Sequence, residues 1–213
     1  MVRFGFLIAM IISLGGCTAD EPKDDQDAVQ VLHVLAATLT ADGKTICIDN
    51  RTQGDSLAVF RTMRAAPAPS RQPLTWRQPQ PLRPPEPPSG RQIFDEELRS
   101  DQILLPSPQQ TGAPLPFILQ RQLDFAANQL SLIQGSKAQS IGQWAGAPLA
   151  RSKWWILNRL SPNCSPVYTF TNPIVAKNVA FVSVKVGHWG TTYAFVKQGT
   201  QWKTLGQWAN WIY

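Results

Sequence analysis

The sequence predicts an α+β domain, with N-terminal helices packed on one face of a C-terminal antiparallel β-meander. Three observations carry this. Apolar residues recur at helical spacing in the first half, two-residue alternation in Val179 to Gly187 is followed by tight turns and returning strands to Leu205, and a proline-dense stretch separates the early elements from the rest. With 213 residues, 43% hydrophobic and 16% charged, the chain is long enough for one packed core, and its apolar content excludes wholesale disorder.

From Asp27 to about Ala41, Ala28, Val31, Leu32, Leu35, Ala36 and Leu39 form an apolar stripe, with Asp27 placed to cap and Asp42-Gly43 to stop. Lys44 to Asp49 reads as a short strand carrying Cys47. Ser56 to Arg64 reads as a second helix through Leu57, Val59, Phe60 and Met63. Residues 65–90 hold nine of the eighteen prolines, a density that no helix or central strand survives. They form an extended, polyproline-rich insert that either lies over the domain or loops free as a solvated linker. Within it, Arg71, Trp76, Arg77 and Arg83 are candidates for docking on a partner.

Residues 92–105 read as a short helix. Phe117 to Ile133 reads as a longer one, entered through Pro114 and Pro116 and ended at Gly135, burying Leu119, Leu123, Ala126, Ala127, Leu130 and Ile133. The run Lys153 to Leu157 is too short and too uniformly apolar to assign. In Val179 to Gly187, Ala180, Val182, Val184 and Val186 alternate with Ser183 and Lys185, the signature of a half-buried strand. Gly187-His188-Trp189-Gly190 then turns, Thr191 to Lys197 returns, Gln198-Gly199-Thr200 turns again, and Trp202 to Leu205 completes the meander. The tetrapeptide Gly-Gln-Trp-Ala occurs at 142–145 and 206–209, but the flanks do not align as a repeat.

The first seventeen residues carry an address. Arg3 precedes the apolar run Phe4 to Leu14, whose eleven residues reach about 16 Å as a helix, well short of the roughly 30 Å of a bilayer core. This is a signal peptide rather than a membrane span. The ending Leu14-Gly15-Gly16-Cys17 resembles the lipobox of bacterial lipoprotein precursors. That resemblance implies cleavage after residue 16, a diacylglyceryl group on the Cys17 sulfur and an acyl chain such as palmitate on its new amino group. It also implies a stable membrane anchor, since several buried chains contribute about 0.8 kcal/mol per methylene. Thr18 stands where the family's inner-membrane retention signal places Asp, which implies the periplasmic face of the outer membrane. The expected organisation is a signal peptide over 1–16, a lipidated Cys17 with a polar tether to residue 27, and one domain over 28–213 with its insert at 65–90.

With Cys17 blocked by lipid, Cys47 and Cys164 are the remaining thiols in an oxidising compartment. They form either one disulfide, 117 residues apart and worth about 4–5 kcal/mol by the chain-entropy model, or two separately buried thiols.

The charge is unevenly placed. Asp124 is the last acidic residue, and eight Lys or Arg follow it together with seven of the eight Trp. Basic residues interleaved with aromatic ones suit an anionic polymer through charge and stacking. Lys185, His188, Trp189, Lys197 and Trp202 are therefore candidate ligand-binding residues, with an anionic envelope polymer or another envelope protein as partner and nucleic acid less accessible. The alternative reading places these Trp in the core and the Lys on solvated strand faces.

The sequence lacks GxSxG, HExxH, P-loop, dinucleotide-binding and CxxC motifs, so no catalytic residue, metal site or cofactor is assigned and a non-enzymatic binding or accessory module is expected. The ending, a Val- and Phe-rich strand, a Tyr-containing strand and then Gly-Thr-Gln-Trp-Lys, looks like NTF2-like domains over about 35 residues. That likeness implies a cone-shaped α+β fold and, as an alternative function, an enzyme with His188 in its pocket. A periplasmic immunity protein is compatible with the same size and address.

Overall fold

A computed structural model describes residues 23–49, 51–65, 75–81, 105–106, 112–132, 150–153, 167–187 and 189–212. The described elements run α1 (Lys23–Leu39), β1 (Ile46–Asp49), α2 (Ala58–Ala65), β2 (Trp76–Arg77), β3 (Leu105–Pro106), α3 (Phe117–Leu130), β4 (Ala150–Lys153), β5 (Val167–Phe170), β6 (Ile174–Ala176), β7 (Val179–Val186), β8 (Trp189–Gln198) and β9 (Gln201–Ile212). The chain is an α+β domain whose six described C-terminal strands follow α3, and the C-terminal meander β7–β8–β9 is the heart of its sheet.

All the strands join one mixed sheet. Its order is β2-β9-β8-β7-β5-β1-β4, with β3 also on β9 and β6 also on β7. The β7–β8 ladder is in unbroken register from Val179↔Val196 to Val186↔Trp189. Gly187 and Gly199, with φ of 57° and 63°, close the two hairpins in the left-handed region that glycine reaches without strain. β1 is the exception to the antiparallel pattern, because it runs parallel to both β4 and β5, with Cys47 opposite Arg151 on one side and Val167 on the other.

The layering corrects the one-faced packing expected from the sequence. Along β7, Ala180, Val182, Val184 and Val186 join a core with α1, through Val31, Leu32, Leu35, Ala36 and Leu39. Phe181 points the opposite way, into a second core with Leu57, Phe60 of α2 and Leu123, Ala127 and Leu130 of α3. The sheet is thus covered by α1 on one face and by α2 and α3 on the other. The slot read as solvated at Ser183 is 1% exposed. Each fully buried large side chain contributes about 1.5–3 kcal/mol, so both faces stabilise the sheet.

Several boundaries move for identifiable reasons. α1 begins at Lys23, a turn before Asp27, so Asp27 is not its cap, and acidic residues in the opening turns suit the positive end of the helix dipole. The described helix thus includes Lys23 to Asp27, part of the segment expected to be tether, and residues 17–22 lie outside the described residues. β9 runs on to Ile212 rather than stopping at Leu205 because β2 and β3 pair with it. A bulge at Leu205 lets the strand continue: Ala194 pairs with Gly206 and Phe195 with Thr204. α3 starts at Phe117 as expected and buries Leu123, Ala127 and Leu130.

The proline-dense insert is not a free linker over its described part. Trp76 is fully buried in the second core, its ring 5.8 Å from that of Phe181. Its indole N–H donates to Asp124 (2.9 Å), while Gln120 accepts from its backbone N–H (2.7 Å) and donates to its carbonyl (3.0 Å). Trp76 thereby anchors a segment with few backbone donors, together with the pairing of Trp76 and Arg77 with β9. Leu105 begins β3 rather than ending a helix, and the remaining 92–104 and the run 154–157 lie outside the described residues.

Candidate functional site

The sequence singles out Lys185, His188, Trp189, Lys197 and Trp202, and the register of the meander separates them into two groups. Lys185 pairs with Gly190 and Trp189 with Val186 at one end of the β7–β8 hairpin. Lys197 pairs with Trp202 beside the β8–β9 turn, eight residues further along β8 and about 26 Å away at strand rise. One small ligand does not bridge these ends.

At the second end, the sequence reading is corrected by α1. Lys197 is on the same face as Tyr193 and Phe195, and that face is covered. Its ammonium donates to both oxygens of Asp27, at 2.6 and 2.8 Å, with the two side chains only 19% and 13% exposed. The indole N–H of Trp202 donates to the same carboxylate at 3.1 Å, and the ammonium sits 5.5 Å from the Trp202 ring centre. Trp202 itself is 4% exposed and belongs to the first core. Lys197 and Trp202 therefore clasp α1 to the sheet instead of presenting a surface, because the carboxylate, the ammonium and the indole satisfy one another.

At the first end, Trp189 is partly buried against the first core and Lys185 is half-buried on the second face of β7. His188, between them, lies outside the described residues, as do Cys17 and Cys164. Cys47 is buried on β1 and disulfide-bonded. Its partner lies outside the described residues. Of the described tryptophans, Trp76, Trp202 and Trp208 are core residues, Trp208 meeting Phe60 edge to face at 6.0 Å. Of the C-terminal indoles expected to form a stacking platform, Trp202 and Trp208 are thus taken up by packing and Trp189 is partly covered. The second Gly-Gln-Trp-Ala copy is a stretch of β9, where a methyl on Gly206 would stand 2.7 Å from Leu115. The first copy lies outside the described residues.

Two polar features went unread in the sequence. One is a buried cluster of hydroxyls joining the start of α2 to the sheet. Ser56 meets Thr171 at 2.7 Å and donates to the Asn172 carbonyl, while Ser183 donates to the Ser56 carbonyl and meets Thr192 at 2.7 Å. Every hydroxyl in it has a partner, as a dry interior demands. The other lies at the β2 strap, where the Tyr193 hydroxyl donates to the Gln80 carbonyl and Gln207 accepts from the Gln80 backbone N–H, both at 2.7 Å. Alternation alone assigns Ser183 and Gln207 to a solvated face. The layer of α2 and α3 makes Ser183 interior, and the strap at Gln80 covers Gln207, which lies opposite Tyr193 on the other face.

The described surface also carries a feature absent from the sequence reading. Phe117, Ile118, Phe125 and Leu132 are 73%, 69%, 66% and 86% exposed along α3 and the turn after it. Among the described residues no group of three or more His, Cys, Asp or Glu is placed to hold a metal ion, and no helix is long and apolar enough to cross a membrane. No family model, curated protein or solved structure matches the chain.

Proposed function

We propose that this protein is a lipid-anchored accessory module of the bacterial cell envelope, held at the periplasmic face of the outer membrane through Cys17 and acting by binding rather than by catalysis. The observation that carries the reading is the Leu14-Gly15-Gly16-Cys17 sequence after a short apolar run, with a folded domain starting at Lys23. Six residues span about 20 Å at most, so the anchor keeps the domain against the membrane surface.

Two further observations narrow where such binding takes place. The hydroxyls and amides of the described interior are engaged in holding strands and helices together, and the described Trp and Lys candidates at the β8–β9 end are engaged with Asp27. Another envelope protein is the favoured partner, since the described indoles that would stack on an anionic polymer are largely buried.

The test is co-purification of the full lipidated chain from solubilised envelopes at low and high salt, read by protein and glycan mass spectrometry. A protein partner that survives high salt supports the reading. A polyanion that co-purifies only at low salt replaces it with polymer binding through exposed lysines such as Lys177 and Lys203.

A further inference from the structure

We draw no further inference here: the strongest candidate, the exposed apolar patch of Phe117, Ile118, Phe125 and Leu132 along α3 and the turn after it, carries none because nothing in the structure shows what covers it.

Discussion

Lys197 and Asp27, 170 residues apart, form the contact that locks the first helix onto the last hairpin, with the ammonium 2.6 Å from one carboxylate oxygen. Both side chains are mostly buried, so removing one strands the other. Lys197→Met is expected to cost about 2–3 kcal/mol in urea unfolding, toward the lower end of broken buried pairs because some solvent reaches the site. Asp27→Leu combined with Lys197→Met is expected to recover part of that loss, and a simple sum of the two single effects would show that the residues do not couple.

Trp76 anchors the strap. Trp76→Ala is expected to destabilise the domain by about 3–5 kcal/mol and to open the Arg77 peptide bond to trypsin, since β2 then leaves β9. Asp124→Ala, which leaves a buried indole N–H unpaired, is expected to cost about 1–3 kcal/mol without releasing the strap. Limited proteolysis alongside thermal unfolding separates the two.

Gly206 tests the packing of β9 against β2 and Leu115, just before α3. A methyl there stands 2.7 Å from Leu115 Cδ1 and 3.2 Å from the Arg77 carbonyl oxygen, so Gly206→Ala is expected to cost about 1–3 kcal/mol by overpacking. Leu115→Ala in the same chain should relieve the clash, and strict additivity in calorimetry would count against it.

Cys47 is disulfide-bonded, and Cys164 is the proposed partner. Non-reducing peptide mapping is expected to recover the two in one linked species. Reduction is expected to lower stability by about 4–5 kcal/mol, the entropy of a loop running from residue 47 to residue 164. A linked peptide containing Cys17 instead would remove both the pairing and the lipid.

The parts of the fold legible in the sequence were those whose signal is local. Alternation through Val182, Val184 and Val186 and glycines at 187 and 199 marked the meander, and the stripe through Val31, Leu35 and Leu39 marked α1. What was not legible depends on what covers what. Ser183 and Lys197 occupy polar slots that look solvated until α2 and α1 are laid over them. The parallel pairing of β1 with β4 and β5 joins segments more than a hundred residues apart through short strands without a pattern of their own. Trp76 sat in a stretch whose prolines ruled out regular structure, and nothing local shows that one indole can fix such a stretch to a core. The candidate binding residues were grouped by composition, which carries no register, and register separates them.

The lipid anchor at Cys17 is the central claim, and intact mass spectrometry of the protein purified from envelopes tests it most directly. The expected species is a chain beginning at Cys17 and heavier than its sequence by a diacylglyceryl group and one acyl chain, with Cys17→Ser losing that mass and the membrane association together. A mature chain with an unmodified Cys17, or one cut elsewhere, would contradict it.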